Sequence, residues 1–283
     1  MLWGRKGIAF VVSALTAIAG SFTAVSAAGP GSSTVIEKHR GIDNCQNIST
    51  ATMQWGWTNT SYAVAGFYVG GQTVNLSCPS HVTFHNTAWV NAVHTQGWNL
   101  LPIWSGKQSP CISATYKHST NTVTAYQEGQ NEAVGARTGA KNVGIGVAAG
   151  SIVVLDLEGT ITTSCANHLA TKEFVRGWNS LLRSGSPTWK SAVTSGTCTF
   201  PMLATSPAYA PDAISIAEWN LNPGLYQVNA CLPAGWWVSD QRGHQYQIVN
   251  ENWNGTTVNI DRNCFDMPVA GANVHSVYAP CLN

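Results

Sequence analysis

The chain has 283 residues, with 14 Lys and Arg against 13 Asp and Glu, a formal charge of +1 and no basic block. That balance excludes a nucleic-acid or anionic-membrane partner recruited by bulk charge. Hydrophobic residues make up 44% and charged residues only 10%, which suits one large globular domain with a substantial core.

In chain order, Arg5 and Lys6 precede an apolar stretch over residues 8–25, and Val25, Ser26 and Ala27 place small residues before a cleavage point. Residues 1–27 therefore read as a secretory signal peptide, and the mature protein is expected outside the cell. An uncleaved anchor is the alternative, but Ser13, Thr16, Gly20, Ser21 and Thr23 dilute the stretch, so no stable membrane insertion is expected after cleavage. Cleavage removes two positive charges and leaves 12 − 13 = −1. Residues 28–37 read as a linker.

Strand-like and helix-like segments then alternate. A strand is expected over 40–44, a helical turn over 50–57, a strand over 63–71, and a helix over 81–96 that Gly97 ends. A strand over 99–106 leads into an excursion at 107–120 and a helix over 123–140. A strand over 151–158 and a helix over 167–183 follow, with later strands at 192–194, 214–219, 244–249 and 258–261. Alternating β and α segments predict a parallel sheet with crossover helices. The fold class is α/β, as a single (β/α)8 barrel of the TIM type with irregularities, over residues 38–266. Residues 267–283 form a tail, and a doubly wound open sheet is the alternative. The barrel is preferred because Asp43, Asp156, Glu158, Glu218 and Asp261 fall at strand C-terminal ends, where barrel enzymes keep their sites.

Residues 151–159, SIVVLDLEG, carry the sharpest signal. An apolar run stops at Asp156-Leu157-Glu158, and alternation along a strand points both carboxyls to one side. Their Cα atoms then lie roughly 6.6 Å apart, within range for two groups acting on one glycosidic bond. The bland alternative is a helix cap or an arginine partner.

All eight cysteines follow residue 27. An even number in an exported chain implies disulfides, of which Cys264–Cys281 is a local candidate. Five of the seven gaps between neighbouring cysteines equal 33 residues, yet the flanking sequences share nothing, so no repeat is inferred. Three other signals fail. Gly144-x-Gly146 precedes its strand instead of following it, no Gly-x-Ser-x-Gly occurs, and His81 with His85 lacks a third metal ligand nearby. No metal or cofactor is implied.

In order, the motifs are GID-x-C at 41–45, FYVGG at 67–71, GWNLLPIWSG at 97–106, VVLDLEG at 153–159, AEW at 217–219, HQYQ at 244–247 and NIDRN at 259–263. Together they resemble the secreted glycoside-hydrolase-like family of TIM-barrel proteins, once a domain of unknown function. That family is related in fold to the family 25 glycoside hydrolases, the N-acetylmuramidases. The resemblance covers about residues 38–266. It implies a first-strand Asp (Asp43), a mid-barrel Asp-x-Glu (Asp156 and Glu158, with Glu158 as proton donor) and an Asp near the last strand (Asp261).

Hydrolysis of a glycoside needs an acid for the leaving oxygen and a carboxylate for the cationic sugar centre. Glu158 is the expected acid, while Asp156 and Asp43 are expected to stay ionised as stabiliser or base. Asp261 and Glu218 are the weaker carboxylates, each with Arg262 as a conceivable partner. Eleven tryptophans remain after residue 27, and sugar faces stack on aromatic rings. Tyr68, Trp104, Trp219 and Tyr246, near strand ends, are therefore expected to line a cleft with Glu218. The expected substrate is an amino-sugar polymer such as peptidoglycan. A carbohydrate-binding barrel without catalysis and a disulfide-stabilised scaffold are the alternatives. Nothing in the sequence fixes the oligomeric state.

Overall fold

The computed structural model describes residues 29–74, 78, 85–226, 231–233, 235–271 and 281. The expected signal peptide, His81 and most of the expected tail lie outside the described residues.

Eight strands close into a barrel: β2 (Arg40–Asp43), β3 (Val64–Gly70), β4 (Asn99–Trp104), β5 (Ile152–Asp156), β6 (Lys190–Ser195), β7 (Ala213–Ala217), β8 (Arg242–Trp253) and β9 (Thr256–Ala270). Strands β2 to β8 run parallel, and β9 closes the ring antiparallel to both β8 and β2. The expected linker contains a strand, β1 (Thr34–Glu37), which pairs outside the ring with the end of β9. The last expected strand, 258–261, lies in the first half of a 15-residue one that runs into the expected tail.

Helices fill five of the crossovers: α1 (Thr50–Asn59), α2 (Thr87–Gln96), α3 (Thr122–Asn142), α4 (His168–Ser184) and a single turn, α5 (Phe200–Leu203). No described helix is long and apolar enough to cross a membrane. Between β7 and β8 the described residues hold no helix, and β8 turns into β9 through Asn254-Gly255, both at positive φ (52° and 83°). That is the type I′ geometry, which suits the twist of an antiparallel pair. The barrel therefore departs from eight repeated units in its last third.

The period of two along each strand divides the core into two layers. On β5, Ile152 and Val154 face a lumen cluster that includes Leu101, Ile103, Phe265 and Met267. Val153 and Leu155 face the helices, with Phe174 and Trp178 of α4. Fully burying one such side chain is worth about 1.5–3 kcal/mol. Helices α3 and α4 touch along Gly129 and Gly177. A Cβ at Gly129 would fall 1.9 Å from the Phe174 carbonyl oxygen, so the two backbones meet at a distance only glycine permits.

Four disulfides pair the cysteines as Cys45–Cys78, Cys111–Cys165, Cys198–Cys231 and Cys264–Cys281. The last is the expected local pair.

Candidate active site

The parity that buries Ile152 and Val154 in the lumen also delivers Asp156 there, at the C-terminal end of β5. Asp43 ends β2, and Asp261 stands directly opposite it on β9. Directly opposed residues on antiparallel strands have Cα atoms about 5 Å apart, so these two carboxyls share one field. Glu158 lies just past the end of β5 at the rim, with its side chain reaching solvent. The structure thus brings Asp43, Asp156, Glu158 and Asp261 to one mouth.

Four polar residues that the sequence pattern does not single out complete the arrangement. Gln245 donates to Asp43 Oδ2 at 3.2 Å and to Asp261 Oδ2 at 3.0 Å, and Asn263 donates to Asp43 Oδ2 at 2.7 Å. Ser105 hydrogen-bonds the Asp156 carboxylate. Gln108, fully buried, clamps the end of β5 from both sides. Its Nε2 donates to the Asp156 carbonyl at 2.8 Å, and its Oε1 accepts from the Glu158 N–H at 2.8 Å. For Asn263 and Gln245 a signal did exist. Each lies on a strand whose parity puts it on the carboxylate face, and both fall inside the quoted motifs.

The remaining candidates separate. Tyr68 faces the lumen with its hydroxyl 3.5 Å from Asp156 Oδ2. Burial and the nearby Asp156 push its pKa well above the ordinary value, so it stays a donor. Trp219 is 61% exposed on the rim, and its Nε1 donates to Gln245 Oε1 at 3.3 Å. Trp104 differs from the expectation. Strand parity turns it outward, where it packs against Gly135 of α3 and donates to Glu132 Oε2 at 2.5 Å, so it is a layer-packing residue and not a cleft wall. Tyr246 is also not a cleft wall: it is buried at 4% exposure beside the His244 ring. Glu218 accepts from Thr197 Oγ1 at 2.9 Å, outside the carboxylate group, and Arg262 pairs with Glu251 instead.

Electrostatics at the mouth are one-sided. Among the described residues no Lys, Arg or His forms an ion pair with any of the four carboxylates. Burial is therefore the largest influence on each. It pushes Asp43 up to about 8, helped by the Asp261 charge and opposed by Asn263 and Gln245. It raises Asp261 to about 6, with Asp156 and Glu158 adding to it and a hydrogen bond from Asp43 opposing it. Asp156 rises well above the carboxylate range through burial, then Glu158 and Asp43. Although Glu158 reaches solvent, the protein atoms crowding its carboxyl raise it as well. The expectation that Asp156 and Asp43 both stay ionised gives way, since four carboxyls in one unneutralised field cannot all be charged at neutral pH.

The lumen beneath the mouth, lined by Asp43, Tyr68, Asp156, Gln245 and Asn263 among others, holds a cavity of only about 20 Å³. That is room for about one water. Any polymer substrate must lie across the rim. Among the described residues no group of His, Cys, Asp and Glu is arranged to hold a metal ion.

The chain is similar in fold to several solved structures. These include the catalytic domain of endolysin ply40 from bacteriophage P40 of Listeria monocytogenes, at 12% identity, TM-score 0.46, with 81% of this chain and 93% of that one covered. The Clostridium perfringens spore cortex lytic enzyme SleM matches at 12% identity, TM-score 0.49, over 80% and 67%. The modular autolysin LytC from Streptococcus pneumoniae, solved with a synthetic peptidoglycan ligand, matches at 11% identity, TM-score 0.47, over 80% and 46%. A search of curated protein sequences finds no significant match. A family profile described as the Rv2525c-like, glycoside hydrolase-like domain matches residues 56–265, which takes in Asp156, Glu158 and Asp261 and starts after Asp43. With three-quarters of its length inside that profile and a closed barrel carrying acidic residues at its mouth, the chain belongs to the Rv2525c-like, glycoside hydrolase-like family.

Proposed function

We propose that the protein is an exported glycoside hydrolase that cuts an amino-sugar polymer such as peptidoglycan, with Glu158 as the acid. The observation that carries this reading is the gathering of four carboxyls at one barrel mouth with no ion-pair partner among the described residues. Such a site holds protons and charges side by side, which acid-assisted glycoside cleavage requires.

Glu158, with its raised pKa and its place on the rim, gives its proton to the glycosidic oxygen as the C–O bond breaks. Asp261, at about 6, is ionised at neutral pH and faces the positive charge that develops on the sugar. Asp43, at about 8, keeps its proton and directs it to Asp261. Asp156 is held by Tyr68 and Ser105. Water then adds to the anomeric carbon, and its proton passes to a carboxylate of the group. Exposed Trp219 offers a ring face for stacking, and Tyr68 a hydroxyl for the sugar. Export is supported by the residue pattern over 1–27 and by the pairing of all eight cysteines.

The test is release of reducing sugar from purified cell-wall glycan by the wild type and by Glu158→Gln. Release by the wild type alone is expected. Equal release by both contradicts the assignment of the acid, and binding by both without release makes the protein a carbohydrate-binding barrel.

A further inference from the structure

The excursion between β4 and α3 builds a second cavity at the mouth, separate from the one in the lumen. It measures about 360 Å³ and is bounded by Thr73, Gln108, residues 112–115 and Glu158. Glu158 borders this cavity and not the lumen, whereas Asp43 and Asp156 border the lumen and not this cavity. Glu158 is thus the partition between the buried carboxyls and an open chamber.

The chamber wall is held in place from several directions. The Cys111–Cys165 disulfide ties the excursion to the segment after β5. Gln108 binds the β5 end through its side chain and the Tyr116 carbonyl through its backbone N–H. Buried Ser109 hydrogen-bonds Thr171 of α4. Gly159, at φ +72°, passes so close to Ile112 that a Cβ there would lie 3.1 Å from the Ile112 methyl. A wall fixed this way is preformed, so a ligand does not have to order it.

We infer that this chamber is the subsite for the sugar on the leaving side of the cut bond, and that it accepts one uncharged ring. The inference rests on Glu158 being the acid. An acid must touch the leaving oxygen, so the ring that departs lies on the side of Glu158 away from the carboxyls that face the sugar cation. The chamber is the space on that side. Among the described residues its lining is hydroxyl, amide and aliphatic, from Thr73, Ser113, Thr115, Gln108, Ile112 and Ala114, and Glu158 is the one charged member among them. This matches a ring with hydroxyl or amide substituents and C–H faces. A carboxylate on the same ring would sit beside Glu158 with no cation among the described lining residues to offset it. The volume falls at the low end of small-ligand pockets and is enough for one ring.

Two variants test this, each scored as kcat/KM on an oligosaccharide relative to a glycosyl fluoride of the same donor sugar, whose leaving group has no ring. Ala114→Trp, which fills the chamber, is expected to lower that ratio about tenfold. Thr115→Lys, at an exposed position where folding is not at stake, is expected to raise the relative rate on oligosaccharides whose leaving-side sugar carries a carboxylate by about fivefold. Ratios unchanged in both variants overturn the subsite. Glu158→Gln distinguishes the two levels. If it keeps full activity on the oligosaccharide, the acid assignment and the subsite fall together. If it is inactive while the ratios stay unchanged, the subsite alone falls.

Discussion

The two ends of the barrel both bury carboxylates, and they treat them in opposite ways. At the N-terminal end, Asp266 accepts from Tyr226 and lies 3.3 Å from Lys38 Nζ, while Glu37 is held between His39 and Asn99. Each has a cation-forming partner and further donors. At the C-terminal mouth, Asp43 and Asp156 have amides, hydroxyls and, for Asp43, another carboxyl as partners, and burial and mutual repulsion raise both. A carboxylate with a cation partner is a structural joint. A group without one is a proton store that costs the fold stability, and such costs persist where function needs them.

The largest expected break in this contrast is chemical. Glu158→Gln should lower kcat on cell-wall glycan about 10³-fold without lowering the melting temperature, because the rim position bears no packing load. Next, Asp261→Asn should cost about 10²-fold and abolish the low-pH limb of the rate profile, since that limb reports Asp261 ionising near 6. Gln108→Met should lower kcat about tenfold with little change in KM, because it frees the Asp156 carbonyl and the Glu158 N–H that fix the acid's position.

The smallest effects are on stability, and they separate the two ends by sign. Asp43 has a folded pKa of about 8, far above an unfolded carboxyl. The folded state therefore holds a proton that the unfolded chain releases, and stability falls as pH rises from about 4 to about 8. Asp43→Asn should raise the melting temperature by about 5 °C above pH 8 and flatten that slope. Asp266→Asn at the other end should lower it by a few degrees, since it weakens the bond from Tyr226 and removes one of the two carboxylates that pair with Lys38, leaving Asp240. Thermal unfolding of both variants across pH checks the signs.

The mouth was legible in the sequence because it uses the plainest strand signals. Residues 152–156 are a wholly apolar run ending in an acid, and parity alone turns Asp156 inward. The same rule predicts the outward face of Trp104, provided the strand is phased from Leu101 and Ile103 and not from its aromatic end. Strand β1 has only four residues and no period of its own, so it reads as linker until β9 is there to pair with it. The β8 half of the arm beyond the barrel alternates between half-exposed and exposed residues over 247–252, so its pattern lacks an apolar stripe, whereas the β9 half buries Val258 and Ile260 in alternation. The Asn254-Gly255 turn is the local signal that joins the two. Gln108 is the least legible of all. Its role depends on an excursion that folds back across β5, a contact between residues 48 and 50 positions apart that no local pattern encodes.

The most direct test of the unneutralised mouth is the pH dependence of kcat/KM for glycan hydrolysis by the wild type. The account predicts a bell, rising as Asp261 ionises near 6 and falling as Glu158, whose pKa burial raises, loses its proton. A profile that stays flat from about pH 4 to 9, or a wild type that releases no reducing ends at any pH, would contradict it.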